Sequence, residues 1–195
     1  MLFRSVVRRR VRLMPLIHGG HQERSRRAGT ENLPAIVGLG AAAARAHARL
    51  ATEPARIARL GDRLLDGLLL AIPRARLNGA RARRVGGVIN LCFEGVDGEA
   101  VLHELDREGI IVSTGSACSA ATQGPSHVLV AMGLSAEDAH ASVRFSLGES
   151  NDDADIDAIL RAVPQIVAKL RALGGTSGSE GAGRWAAAAV NAART

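Results

Sequence analysis

Residues 87–112 read G-V-I-N-L-C-F-E-G-V-D-G-E-A-V-L-H-E-L-D-R-E-G-I-I-V. Gly87 to Phe93 is an apolar run closed by a turn around Gly95, the composition of a buried strand. Asp97 then opens a short helix through Arg107, with Val101, Leu102 and Leu105 facing inward. Gly109 stops that helix before the apolar run Ile110, Ile111, Val112. The pattern is strand, helix, strand, and the fold class it implies is α/β.

On the C-terminal side, Ser113 to Ser126 is a run of small, mostly polar residues with Cys118 in its middle. Val128 to Met132 is expected to be helical. Ser135, with Asp138 three residues on, has the form of a capping box, and Ser142 to Leu147 (S-V-R-F-S-L) alternates like a strand carrying Arg144. A last helix is expected from Asp152 to Leu173. It has aspartates at its positive dipole end, Ile156, Ile159, Leu160, Val163, Ile166, Val167 and Leu170 on one face, and a kink at Pro164. From Gly174 on, G-G-T-S-G-S-E-G-A-G and the alanines after it offer little to bury, so residues 174–195 are expected to form a disordered tail.

On the N-terminal side, the charged stretch Pro73 to Arg84 changes character enough to mark a boundary. Before it, Ile57, Leu60, Leu64, Leu65, Leu68, Leu69 and Ile72 recur at three-and-four spacing on a helix restarted by Pro54. An alanine-rich helix over residues 35–50, opened by Pro34, precedes that one, and both are expected to pack in the body of the protein. His18 to Asn32 (H-G-G-H-Q-E-R-S-R-R-A-G-T-E-N) reads as a loop.

The formal charge of +6 invites a nucleic-acid ligand. Against it, the arginines are scattered among 19 acidic residues, and only three Phe and one Trp are present to stack on bases. The basic N-terminus is followed by no apolar stretch fit for a signal peptide, and no run approaches the length of a membrane span. Two isolated cysteines, Cys92 and Cys118, make neither a disulfide framework nor a zinc site, so a reducing, cytoplasmic setting is expected. His18, His21 and Glu23 lack the fixed spacing of metal ligands, and no metal is expected.

Four positions invite chemistry. Cys118, in S-T-G-S-A-C-S-A-A-T-Q-G-P-S, has no bulky neighbour to bury it, so it is either an accessible, reactive thiol or a small residue packed like alanine. Cys92, inside an apolar strand, reads as structural. Arg144 sits between Val143 and Phe145, where a guanidinium either grips a carboxylate or points to solvent from an edge strand. Thr30, in Gly29-Thr30-Glu31-Asn32 ahead of a helix, either offers an anion site or belongs to a helix cap.

Five segments, taken together, carry a resemblance: P-L-I-H-G-G-H-Q-E-R-S-R-R-A-G-T-E-N, G-V-D-G-E-A-V, S-T-G-S-A-C-S, P-S-H-V-L-V-A-M-G-L-S and S-V-R-F-S-L-G. In this order they closely resemble cysteine desulfurases of the nitrogen-fixation and iron-sulfur-cluster type, over roughly Arg12 to Leu173. The resemblance implies a fold-type-I pyridoxal-phosphate enzyme of the class V aminotransferase kind. Residues 1–72 would be the end of its large cofactor domain and residues 73–173 its small C-terminal α/β domain with the cysteine loop. It implies Cys118 as the nucleophile that takes sulfur from L-cysteine as a persulfide, leaving L-alanine. It likewise implies Arg144 as the clamp on the substrate carboxylate and Thr30 as the residue reaching the cofactor phosphate of a partner subunit in a homodimer. The sulfur would pass to an acceptor protein, an iron-sulfur scaffold or a tRNA thiolation enzyme.

The sequence departs from the family pattern in three places. The family's histidine-lysine segment, which holds pyridoxal phosphate as an imine, is expected just upstream of the residues matched by Arg12 to Pro15, and this sequence starts after it. Lys169, the chain's single lysine, lies on the final amphipathic helix. His21 stands where many relatives have glycine, and Glu149-Ser150 follow Gly148 where arginine is common. The expectation is therefore a truncated desulfurase, inactive alone, with a non-enzymatic partner or sulfur carrier accepting persulfide on Cys118 as the alternative.

Overall fold

The computed structural model describes residues 7–8, 10–114 and 124–174. Cys118 and the tail beyond Gly174 lie outside the described residues, as does the expectation of tail disorder. The chain divides by its contacts into two compact units, residues 1–53 and 54–195.

In the first unit, α1 (Gln22–Ser25) is a single turn whose Glu23, Arg24 and Ser25 take left-handed φ values of 53°, 58° and 62°. Three non-glycine residues in that region are costly for L-amino acids and confine the element to one turn. The loop then folds back on itself through the Ala28 N–H, which donates to the Ile17 carbonyl at 3.1 Å. Helix α2 (Leu33–Arg49) starts where the Asn32 side chain accepts from the Ala35 N–H at 3.1 Å, with Pro34 in its first turn. It buries no residue at all. Its apolar content is mostly alanine and glycine, and its larger members, Leu33, Val37 and Leu39, stay exposed. The expectation that this helix packs in the body of the protein is not met within its own unit.

The second unit is built on a four-stranded antiparallel sheet in the order β1-β2-β4-β3, from β1 (Ala75–Leu77), β2 (Val88–Phe93), β3 (Ser113–Thr114) and β4 (Ser142–Ser146). Leu91 lies opposite both Leu77 and Val143, and Ile89 opposite Phe145, so period-two alternation turns Ile89, Leu91, Phe93, Val143 and Phe145 to one face. Three helices cover that face: α3 (Glu53–Ala71), α4 (Gly98–Arg107) and α7 (Asp153–Gly174). Leu60, Leu64, Leu65 and Leu68 of α3 join Val101 and Leu105 of α4 and Ile156, Val163 and Val167 of α7 in one core with the strands. That shared core sets the division of the chain at Glu53/Pro54, ahead of the composition change at Pro73.

The helix ends follow capping chemistry. Asp97 accepts from the N–H groups of Glu99 and Ala100 at 2.7 and 3.3 Å, and Asp152 from those of Ala154 and Asp155 at 2.8 and 3.1 Å. Helix α7 continues through Pro164, which removes one intrahelical donor. Two short helices, α5 (His127–Ala131) and α6 (Ala136–His140), lead into β4. The strand expected at Ile110–Val112 begins to pair only at Ser113, three residues beyond Ile110. Gly109, at φ +75°, closes α4, and the Ile110 N–H returns to the Leu105 carbonyl at 2.9 Å, so the chain reaches the ladder first at Ser113.

Candidate functional site

The core takes one face of the sheet, and the same alternation assembles the polar residues on the other. Arg144 lies between Asn90 and Ser113 across the ladder, and Cys92 lies between Arg76 and Ser142. Arg144 therefore occupies an interior strand, not an edge, and is nonetheless exposed because its face of the sheet is open there. Among the described residues, its guanidinium has no hydrogen-bond or ion-pair partner.

A buried polar cluster adjoins that arginine. Asn78 donates from Nδ2 to Asn90 Oδ1 at 2.6 Å and to Ser142 Oγ at 2.8 Å, while the Ser142 hydroxyl donates to the Asp138 carbonyl at 2.6 Å. Asp138, on α6, is 6% exposed and pairs with Arg76 at 2.6 Å. The Asp138 N–H donates to Ser135 Oγ at 3.0 Å, the N-cap bond of the capping-box pattern read from the sequence, and the Ser135 hydroxyl, in place of its backbone N–H, donates to Asp138 Oδ2 at 2.8 Å. Burial alone would raise the Asp138 carboxyl, but the Arg76 guanidinium and the Ser135 hydroxyl outweigh it and hold the acid below its ordinary value. The Cys92 thiol is fully buried and donates to Asp138 Oδ1 at 3.7 Å. Burial, with the facing carboxylate, pushes it from 9.0 up to about 11 against the opposing pull of Arg76.

In the first unit, Asn32 is the residue that caps α2, leaving Thr30 exposed in the turn ahead of it. Arg27 shapes that turn: its Nε donates to the Ala28 carbonyl at 3.0 Å, and its Nη2 to the carbonyls of Gly29 and Thr30 at 2.7 and 2.8 Å. Gly29, at φ +89°, supplies the left-handed residue the turn needs. Thr30 and Arg144 fall in different units. Among the described residues no cluster of three His, Cys, Asp or Glu side chains could hold a metal, and no helix is long and apolar enough to cross a membrane.

Sequence reasoning singled out Arg144, now placed on the open sheet face, and Thr30, exposed ahead of α2, and passed over Arg27, Arg76, Asn78 and Asn90. The signal for the last two was a polar residue inside or beside an apolar strand. For Arg76 it was the alternation Arg74, Arg76 in a stretch read only as charged.

The antiparallel sheet is covered on one face by three helices and carries Arg76 and Arg144 on the other. The model of the family "Aminotransferase class-V" matches residues 8–159. The chain belongs to the class V aminotransferase family. It is 49% identical over 165 residues to a cysteine desulfurase of Gluconacetobacter diazotrophicus, covering 85% of this chain and 41% of that one. It is 48% identical over 165 residues to the cysteine desulfurase IscS of Methanosarcina thermophila, with the same two shares. Among solved structures, a NifS-like protein superposes with a TM-score of 0.73 at 30% identity over 84% of this chain and 41% of its own. A NifS-like protein of Rickettsia africae does so with a TM-score of 0.71 at 32% identity, over 80% and 40%. The chain thus spans about 41% of the length of these curated relatives.

Pyridoxal phosphate belongs to the family, and the residues of this chain fit it only in part. The Thr30 turn presents an exposed hydroxyl ahead of a 17-residue helix, a fit for a phosphate contact. The imine does not fit: Lys169 Nζ is engaged by Glu104 Oε2 at 2.5 Å on the outer surface between α7 and α4.

Proposed function

We propose that this chain is the sulfur-accepting portion of a cysteine desulfurase. The observation that carries the proposal is the 49% identity to a desulfurase over 165 residues, with the family match over residues 8–159 taking in Thr30, Cys118 and Arg144. In this reading residues 73–173 form the family's small domain, with α3 packed against it. Cys118 accepts sulfur, Arg144 grips the carboxylate of L-cysteine, and Thr30 contacts the phosphate of pyridoxal phosphate held by a partner subunit. Arg144 suits its role because a planar fork on an open sheet face meets a carboxylate through two parallel hydrogen bonds. In the overall reaction the C–S bond of cysteine breaks and an S–S bond forms on Cys118. The hydrogen lost from the enzyme thiol ends on the β-carbon of alanine, so the persulfide is produced with no external oxidant. The sulfur then passes to an acceptor protein for iron-sulfur cluster assembly or tRNA thiolation. A cytoplasmic setting suits an unpaired thiol such as Cys92.

The engagement of Lys169 by Glu104 favours a second reading, in which the chain receives sulfur from an intact desulfurase and acts as carrier. Here the Cys118 thiolate attacks the outer sulfur of the donor's persulfide. The donor's S–S bond breaks, and its cysteine leaves as the thiolate.

Two measurements test these readings. The purified chain with pyridoxal phosphate and cysteine is expected to show no lysine-bound cofactor spectrum and to release no alanine. Mixed with an intact desulfurase and cysteine, it is expected to gain one persulfide, on Cys118, by peptide mass spectrometry. Alanine release by the chain alone, abolished in Cys118→Ser, would exclude the carrier. Absence of the persulfide in the mixture would remove the sulfur-accepting role altogether.

A further inference from the structure

We propose that Asp138, held by Arg76, is a specificity residue that keeps a second thiol, Cys92, out of sulfur exchange. The inference rests on the reading of Cys118 as the sulfur acceptor and adds what confines the sulfur to it. Cys92 lies on the same sheet face as Arg144, one step along the ladder, with Ser142 opposite it and Asn90 two residues away. Diagonal neighbours on a sheet face are only about 7–8 Å apart, so a substrate clamped at Arg144 would place its sulfur within a side chain's length of this thiol. If sulfur is to be taken up elsewhere, a thiol at this position needs a device that silences it.

The structure supplies it in α6. Asp138 reaches from α6 across β2 to the Arg76 guanidinium on β1, at 2.6 Å, and lies over the Cys92 sulfur, at 3.7 Å. The Phe93 N–H donates to the Ala141 carbonyl at 2.9 Å and the Ser142 hydroxyl to the Asp138 carbonyl at 2.6 Å, which ties the end of α6 to β2 beside the thiol and to the start of β4 opposite it. Cys92 is left with 0% exposure, and any thiolate there would face a carboxylate whose own charge Arg76 and Ser135 preserve. Burial under α6 first, and then the Asp138 carboxylate, raise the thiol from 9.0 to about 11 against the pull of Arg76, which corresponds to roughly a hundredfold smaller thiolate population.

The test uses the full 195-residue chain and inorganic polysulfide as the sulfur source. A thiolate attacks a sulfane sulfur, an S–S bond of the polysulfide breaks, and the shortened polysulfide departs with the electron pair while the thiol proton goes to buffer. Cys118→Ser leaves Cys92 as the reporter and Cys92→Ser leaves Cys118, and persulfides are alkylated and located by mass spectrometry. Cys92 is expected to react at least about a hundredfold more slowly than Cys118. In the Cys118→Ser background, Asp138→Ala is expected to raise Cys92 labelling at least tenfold. Asp138→Asn keeps the shape and the Ser135 contact but leaves Arg76 alone facing the thiol, and is expected to raise it several-fold. Circular dichroism and urea midpoints establish that each variant is folded, and Asp138→Asn decides the matter if Asp138→Ala is not. A folded Asp138→Asn chain with Cys92 still silent overturns the proposal, as does a wild-type Cys92 that labels as fast as Cys118. A silent Cys118 in the Cys92→Ser chain overturns the sulfur-acceptor reading instead, while the Asp138 series still reports on the clamp.

Discussion

Helices α2 and α3 follow one another in the chain, have similar length and are both rich in apolar residues, yet one buries nothing and the other supplies four fully buried leucines. The difference is where the side-chain volume sits. In α3, Leu60, Leu64, Leu65 and Leu68 fall at three-and-four spacing on one stripe that meets the sheet. In α2, alanines surround the axis and give it good helix propensity without a stripe to bury. The sharpest way to break the contrast is to remove volume from each helix. Leu64→Ala is expected to cost about 2–5 kcal/mol in urea unfolding, from lost transfer energy plus a cavity in a core that cannot collapse. Leu39→Ala in α2, where the leucine is 43% exposed, is expected to change stability by no more than about 0.5 kcal/mol. Equal losses would mean that α2 is covered by something the single chain does not contain.

A similar contrast governs what could be read from the sequence. The core helices, β2, β4 and the caps at Asp97, Asp152 and Ser135 were legible because period and capping are local signals. Strand β1 was not, because three residues flanked by arginines carry no alternation long enough to register, and only the Asn78-Gly79 turn hinted at it. Cys118, Arg144 and Thr30 were singled out by family resemblance; the residues alone left each with a structural alternative. For Arg144 the strand was legible and its place in the sheet was left open: β4 is interior, and long-range pairing with β2 and β3, which no window contains, decides that. The Arg76–Asp138–Cys92 cluster is of the same kind, since it unites residues from three elements that the sequence keeps far apart.

The buried thiol gives the second unit a pH response that the first, which has no cysteine, lacks. Cys92 has a folded-state value raised from 9.0 to about 11. Its contribution to stability is therefore fully present below about 9, where both states hold the proton, and is lost as pH rises toward 11 and the unfolded chain alone releases it. The loss is expected to reach roughly 2–3 kcal/mol. Urea midpoints of wild type and Cys92→Ala at pH 8 and pH 10.5 check it: the wild type should lose stability over that interval and the variant should lose less. Parallel losses would assign the alkaline sensitivity to other groups and remove the carboxylate-facing thiol as its cause.

The smallest expected effect has opposite signs in the two helices. A Cβ added at Gly61 of α3 would lie 2.2 Å from the Gly86 carbonyl oxygen, a backbone atom that cannot swing aside, so the helix and the β1–β2 connection would have to separate. Gly61→Ala is expected to destabilise by about 1–3 kcal/mol, the usual scale of overpacking. At Gly38 of α2 an added Cβ meets nothing within 4 Å, and the backbone there is helical. Replacing glycine by alanine at such a site removes freedom from the unfolded chain without adding a clash, and is expected to stabilise α2 by about 0.5–1 kcal/mol. Far-UV circular dichroism against temperature reads both, the first as an earlier loss of structure and the second as added helix. If Gly38→Ala also destabilises, the open flank of α2 is a close-approach surface in the assembled protein, and α2's lack of buried residues belongs only to the isolated chain.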